Sequence, residues 1–336
     1  MMKGAIIGTG FWSHYQINAW KELEGVLITS AYNRTISKAK TVAEKFKLQA
    51  VYEDAALMLE TEKPDFVDII ADVGTHLQFT QLAASLGIHV ICQKPMSDSP
   101  ASAKQMQECC QKAGVKLFVH ENFRWQKPVR AVKGWMDSGI IGTPFKAKVD
   151  FCSAFPVFAN QPFLAELDHF ILTDIGSHVL DICRYLFGEA KRLFCLTKKV
   201  NTAIKGEDVA GVFMEMNTNV QCFADMSYAS LLERESFPQI LLLVEGDKGS
   251  IQLTHDFKLK ITTKNGTQEF VVQPEYYSWA DPQYAVVHSS IVDCNRDILK
   301  GLSGGIAETT GEDNLKTVAL VWAAYESAAS GKVIHL

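Results

Sequence analysis

The chain has 336 residues, 47% of them hydrophobic and 21% charged, with a formal net charge of -5. That length exceeds what one hydrophobic core usually serves, so two domains are expected, and the mildly acidic balance gives no electrostatic footprint for nucleic acid or an anionic membrane. No apolar run reaches the roughly 18 residues of a membrane span, and the run after Met1-Met2-Lys3 is too short for a secretory leader. A soluble, cytoplasmic protein with small-molecule partners is expected.

From Lys3 to His120 short β-branched runs alternate with amphipathic segments. Strands are predicted at 5–7, 26–32, 66–71, 89–92 and 116–120, and helices at 35–46, 75–86 and 100–113, the last opened by Ser99-Pro100. This βαβα order predicts a doubly wound parallel sheet in an α/β domain over residues 1–122. Beyond it the rhythm changes: a helix at 129–137, a turn at 139–144, a long strand at 145–155, then a loop rich in Phe, Pro and Asn. After a helix around 172–181, strand-like runs recur at 191–200, 210–216, 220–228, 239–245, 250–253, 258–263 and 268–272. Turns at 217–219, 246–249 and 265–266 suggest antiparallel hairpins. With closing helices at 293–300 and 313–329, residues 123–336 are predicted to form an α+β domain on a large, mainly antiparallel open sheet.

Eight cysteines are scattered without a Cys-x-x-Cys pair, several of them inside apolar runs. They read as reduced core residues, neither a disulfide framework nor a thiol metal site.

Gly8-Thr9-Gly10-Phe11-Trp12-Ser13 follows the first predicted strand and opens a helix. In that setting backbone N–H groups and the helix dipole can hold a pyrophosphate, and the small Ser13 stands where the usual fingerprint has a third glycine. At the end of the second strand, where an acidic residue would bind an adenosine ribose, the chain has Asn33-Arg34. A guanidinium can pair with a 2′-phosphate, which favours NADP over NAD, although Asn33 can also bind a ribose hydroxyl. Gln93-Lys94-Pro95-Met96 lies past the fourth strand, at the carboxyl edge where such sheets bind ligands, so Lys94 is expected beside the nicotinamide. In Leu172-Thr-Asp-Ile-Gly-Ser-His-Val-Leu-Asp181 the helical period stacks Asp174 and His178 on one face, with Ile175, Val179 and Ile182 on the other. Gly176 between the polar pair leaves room for something to approach.

These motifs, in this order, resemble the glucose-fructose oxidoreductase, inositol dehydrogenase and rhizopine catabolism (Gfo/Idh/MocA) family nearly end to end. The family's glycine loop, strand-end Thr-His, Glu-Lys-Pro, Asn-x-Arg and Asp-x-Gly-x-His-x-x-Asp are met by Gly8 to Ser13, Thr75-His76, Gln93-Lys94-Pro95, Asn122 with Arg124, and Asp174 to Asp181. Two departures stand out: Gln93 replaces the family's glutamate, and Ala71-Asp72-Val73 replaces Thr-Pro-Pro beneath the nicotinamide. Phe11-Trp12, Asn33-Arg34-Thr35 and the segment from His120 to Gln126 are similar to the branch containing D-apiose dehydrogenases.

The resemblance implies a hydride transfer between the nicotinamide and a hydroxyl or carbonyl carbon of a monosaccharide, sugar acid or cyclitol, with Lys94, Asp174 and His178 acting together. Either Lys94 or His178 would take the proton. It implies cofactor contacts from Gly8, Gly10, Phe11, Trp12, Asn33, Arg34, Asp72, Thr75, His76, Gln93, Lys94 and Asn122, and no metal. Arg124, Trp125 and Lys127 would shape the substrate side with Lys94, Asp174 and His178. A loop from Phe151 to Phe163 would supply aromatic surface, and Tyr228, Tyr276, Tyr277 and Trp279 an opposite wall. Relatives pair through the open sheet, so a homodimer or homotetramer is expected. Two other functions compete: a sugar-sensing regulator that binds dinucleotide without turnover, and a metal-dependent hydrolase or isomerase using His169, Asp174, His178 and Asp181.

Overall fold

The computed structural model describes all 336 residues, and the chain divides into two units. The first holds Met1–Asn122 and Tyr276–Val318. Its elements are β1 (Met2–Ile7), α1 (Ser13–Lys21), β2 (Val26–Tyr32), α2 (Ile36–Phe46), β3 (Ala50–Tyr52), α3 (Ala55–Glu62) and β4 (Phe66–Ile69), followed by α4 (His76–Ser85), β5 (His89–Gln93), α5 (Pro100–Ala113) and β6 (Leu117–His120). The sheet runs β3-β2-β1-β4-β5-β6 with every pair parallel. That order is the Rossmann one, with the switch in direction at β1 and β4. Its central strands are covered on both faces, so Ile6, Val67 and Ile91 are fully buried in runs that do not alternate.

Local chemistry explains the helix ends. The Ser99 hydroxyl accepts from the Ser102 N–H at 3.2 Å, Pro100 sits in the first turn, and Gly114 closes α5 in the left-handed region. The short β3 and α3 have no counterpart in the sequence reading. In α3 the apolar residues are consecutive, so Met58 and Leu59 are buried while Leu57 stays exposed, and no helical period is visible.

The predicted division, with everything after Asn122 in one domain, needs correction. Helix α9 packs on α1 in the first unit, where the rings of His288 and Tyr15 stack at 4.3 Å. This helix also begins well before the predicted residue 293. Its first half carries Val286, Val287, Ser289 and Ser290, all buried, so it lacks the amphipathic signature of a surface helix.

The second unit holds Phe123–Glu275 and Ala319–Leu336. It contains α6 (Lys127–Asp137), β7 (Pro144–Cys152), α7 (Val157–Asn160), α8 (Ile171–Phe187), β8 (Ala190–Lys198), β9 (Val209–Met216) and β10 (Gln221–Ser227). It continues with β11 (Leu241–Gly246), β12 (Gly249–Thr254), β13 (Lys258–Thr263), β14 (Gly266–Val271) and β15 (Ile334–His335). In chain order, α9 (Ala285–Leu302) and α10 (Gly311–Ser330) come between β14 and β15, and the division of the chain falls within α10. The nine strands run β14-β13-β12-β11-β7-β10-β9-β8-β15, antiparallel except for the β7–β10 pair. Along β10, Cys222, Ala224 and Met226 face in while Phe223 and Asp225 face out, the alternation of a sheet covered on one side. The cover over this part of the sheet is α8. What approaches Gly176 is the sheet itself: a Cβ there would lie 3.3 Å from Met226 Sδ. No helix is long and apolar enough to cross a membrane.

Candidate active site

The first unit gathers the predicted dinucleotide residues along the carboxyl ends of its strands. Gly8 has φ +98°, its N–H donates to the Tyr32 carbonyl at 2.9 Å, and a Cβ there would sit 2.5 Å from the Ile70 carbonyl oxygen. Only glycine fits where the turn from β1 to α1 passes so close to the end of β4. At Gly10 a Cβ would meet nothing within 4 Å, so the backbone lies open to an approaching ligand. Ser13 is fully buried; both its N–H (3.2 Å) and its hydroxyl (2.7 Å) donate to the Gly10 carbonyl. The serine closes the turn that it shares with the two glycines. Phe11 is exposed and packs edge-on against Tyr15, while Trp12 tilts against the same ring. The Thr9 hydroxyl and the Trp12 indole nitrogen are buried with no partner in the protein. A tight glycine turn, an open Gly10 backbone and an unspent buried donor fit a bound pyrophosphate.

At the end of β2 the Asn33 side-chain oxygen accepts from the Thr35 N–H at 2.8 Å, an Asx turn that leaves Arg34 exposed. Past β4, Asp72 is exposed and its carbonyl accepts from the N–H (2.8 Å) and hydroxyl (2.7 Å) of Thr75. His76 is buried, with Nε2 3.0 Å from the Ala71 carbonyl and Nδ1 3.1 Å from Cys92 Sγ. Burial lowers the imidazole pKa and raises that of the Cys92 thiol well above its ordinary value. Both groups are therefore neutral; Nδ1 also lies 3.2 Å from the Met96 carbonyl, so the single ring N–H has a backbone acceptor on either side. His76 thus ties the end of β4 to the end of β5, where Lys94 begins. There the Lys94 N–H donates to Gln93 Oε1 at 3.2 Å, the Lys94–Pro95 bond is cis, and Gln93 Nε2 is buried without a partner. Asn122, predicted as a cofactor contact, is buried, with its Nδ2 donating to Ser290 Oγ at 2.7 Å. Tyr277 and Trp279 pack against Ala19, Ile291 and Val292, and Trp279 Nε1 donates to Glu22 at 2.8 Å.

In the second unit α8 carries the predicted polar pair. Asp174 lies in its first turn and accepts from the Tyr228 hydroxyl at 3.2 Å. Burial, then the Asp174 charge, push the Tyr228 pKa well up, so the phenol remains a donor. One turn on, His178 is 3% exposed and stacked on Phe123, with centroids 3.8 Å apart and planes at 7°.

Arg124, predicted on the substrate side, is buried against α8. Its Nε and a terminal nitrogen donate to Asp181 at 2.7 and 2.5 Å, with both groups buried. Arg184 lies 3.7 Å from the same carboxylate and makes its own two-point pair with Glu189 at 2.8 and 2.9 Å. Trp125 is half-buried under the Arg130 guanidinium, 4.3 Å from the ring centre, and Lys127 pairs with Glu275 at 2.7 Å on the surface. Phe151 is a core residue, edge-on to Tyr228 and Phe237, whereas Phe163 is exposed. His169 packs on the rings of Tyr325 (4.4 Å) and Trp322 (5.2 Å). No group of three or more His, Cys, Asp or Glu is arranged to hold a metal. The four ligands named for a hydrolase do not converge.

A Rossmann sheet with a pyrophosphate turn, joined in one chain to an Asp–His helix over an open sheet, defines a dinucleotide-dependent oxidoreductase. The chain belongs to the GFO/IDH/MocA family: residues 2–121 match its oxidoreductase domain with the NAD-binding Rossmann fold, and residues 129–252 match its C-terminal domain. It is 42% identical over 335 residues to a D-apiose dehydrogenase of Paraburkholderia graminis, covering 99% of this chain and 89% of that protein. A D-apiose dehydrogenase of Rhizobium rhizogenes is 40% identical over 336 residues, covering 100% and 97%. Among solved structures, an oxidoreductase from Agrobacterium radiobacter in complex with NAD+, L-tartaric acid and magnesium superposes with a TM-score of 0.97 at 40% identity, covering 99% and 98%.

Proposed function

We propose that this NAD-dependent sugar dehydrogenase oxidises D-apiose at its anomeric carbon to the lactone. The observation that carries the reading is the end-to-end similarity, at 40–42% identity, to two D-apiose dehydrogenases. Bound NAD+ supplies the hydride acceptor. His178 takes the hydroxyl proton on a ring nitrogen, the role in which imidazole most often serves as a general base. Lys94 stabilises the developing alkoxide, and Asp174, held by the Tyr228 hydroxyl, binds a neighbouring sugar hydroxyl.

We assign NAD+ over NADP+. The family domain is NAD-binding and the Agrobacterium relative was solved with NAD+, so the NADP preference suggested by Arg34 finds no support. A homo-oligomer formed through the outer sheet face is also proposed. That face exposes Leu196, Phe213 and Phe223, the last two stacked at 4.4 Å, and light scattering after gel filtration measures the stoichiometry. A cytoplasmic setting suits the eight free cysteines.

The test is absorbance at 340 nm with D-apiose and other aldoses against NAD+ and NADP+, with the lactone identified chemically. Turnover is expected with D-apiose and NAD+, and loss of turnover with retained NAD+ binding in Lys94→Ala and His178→Ala. Full activity in both variants refutes the assigned roles, and no turnover of D-apiose refutes the substrate.

A further inference from the structure

Helix α8 is anchored along its whole length within the second unit. Its first N–H groups would be orphans, but the Glu207 carboxylate accepts from Phe170 and Leu172, each at 3.3 Å, and is itself held by the Tyr325 hydroxyl at 2.8 Å. Past its middle, Asp181 takes the two-point bond from Arg124. At its end Arg184 is pinned to Glu189. The residue before Arg124 is Phe123, in the same short 3₁₀ turn (Phe123–Trp125), and its ring covers one face of the His178 imidazole.

We infer that Phe123, held in place by the Arg124–Asp181 pair, is a positioning residue that sets the plane of the His178 ring. The inference rests on reading His178 as the proton acceptor. Imidazole nitrogens donate and accept only in the ring plane, so the direction of proton transfer is the direction of that plane. A phenyl ring 3.8 Å away and within 7° of parallel leaves no space for the imidazole to turn about its Cβ–Cγ bond. This constraint acts whatever hydrogen bonds the nitrogens make.

The ion pair supplies the other half of the clamp. His178 and Asp181 are three residues apart on α8, and Phe123 and Arg124 are adjacent in the turn. Two contacts, one ring on ring and one fork on carboxylate, therefore fix the turn against the helix in both distance and angle. Arginine is needed for this because its planar fork orients, whereas a lysine ammonium holds only by charge.

The test compares Phe123→Leu, Phe123→Tyr, Arg124→Lys and His178→Ala, using the sugar that the unaltered enzyme turns over fastest. Initial rates give kcat and KM, calorimetric titration gives the Kd of NAD+, and circular-dichroism melts check folding. Phe123→Leu is expected to lower kcat roughly 10- to 100-fold, as misdirected catalytic groups do, with KM and the NAD+ Kd within about twofold. Phe123→Tyr keeps the ring and should restore kcat. Arg124→Lys keeps the charge and the fold, and should lose kcat alone, to a smaller degree. Should Phe123→Leu fail to fold, Arg124→Lys decides by the same criterion. The inference is overturned by a kcat within twofold of the parent in the deciding variant, by a loss carried by KM, or by Phe123→Tyr failing to restore kcat. An active His178→Ala instead overturns the reading on which the inference rests.

Discussion

Arg124→Met separates two accounts of one arginine. If Arg124 reached for the sugar, its loss would raise KM and leave the fold alone. In the structure it is a buried ion-pair partner, so its loss strands Asp181, a fully buried carboxylate. Removing one member of a buried pair costs about 3–5 kcal/mol. Arg184 remains 3.7 Å from the same carboxylate and softens the penalty, so about 2–4 kcal/mol is expected here. For a domain of this size that is a fall in Tm on the order of 5–15 °C.

The assay is a thermal melt with and without NAD+, run beside sugar kinetics below the new Tm. A double variant, Arg124→Leu with Asp181→Leu, sharpens the result. It removes both charges while Arg184 keeps its two bonds to Glu189, so it should recover much of the stability lost in Arg124→Met. An unchanged Tm in Arg124→Met together with a tenfold or greater rise in KM would refute the structural account.

Two further predictions follow from contacts that the sequence does not announce. Tyr228→Phe removes the hydroxyl that donates to Asp174, and kcat/KM for the sugar should fall on the order of tenfold, the worth of a hydrogen bond to a charged group; a change under twofold counts against the pairing. Asp68 is fully buried on β4 with Trp20 Nε1 donating at 2.8 Å, and burial raises its pKa from 3.8 to about 6. A carboxyl raised on folding binds its proton more tightly in the native state, so its contribution is most favourable below pH 3.8, declines as pH rises through about 6, and is a constant cost above. That cost is on the order of 3 kcal/mol, so Asp68→Asn should raise Tm at pH 7.5 and lose its advantage toward pH 4; a lower Tm at pH 7.5 would contradict the sign.

The elements legible in the sequence are those with a period or a punctuation mark. Ser99-Pro100 opens α5, Gly8 marks the turn that only glycine can make, and the four-residue spacing puts Asp174 and His178 on one face of α8. What the sequence hides is which distant group each side chain meets. Tyr228 lies 54 residues from Asp174, and Glu207 lies 37 from the Phe170 N–H that it receives, separations that carry no local signal. The Arg124–Asp181 pair is hidden for a related reason: an arginine among aromatics has the same local signature whether it faces a ligand or a buried carboxylate. Tyr276–Val318 joins the first unit through contacts such as the Tyr15–His288 stack, which no pattern along the chain announces.

The cost of holding α8 bears on where sugar recognition can lie. Asp181, Arg124, Arg184, Glu189 and Glu207 are charged groups committed to fixing one helix, and Gly176 lets that helix lie close on Met226 of the sheet. Rigid support of this kind narrows the geometry of a proton transfer but leaves those charges no freedom to meet a substrate. Discrimination between sugars then falls to side chains not consumed by the scaffold. Within the second unit, Asp174 is foremost among the predicted residues: it sits in the first turn of α8, is only half-buried, and accepts from the Tyr228 hydroxyl. A carboxylate is a strong acceptor for sugar hydroxyls, so the role proposed for Asp174 extends to setting which hydroxyl lies beside His178.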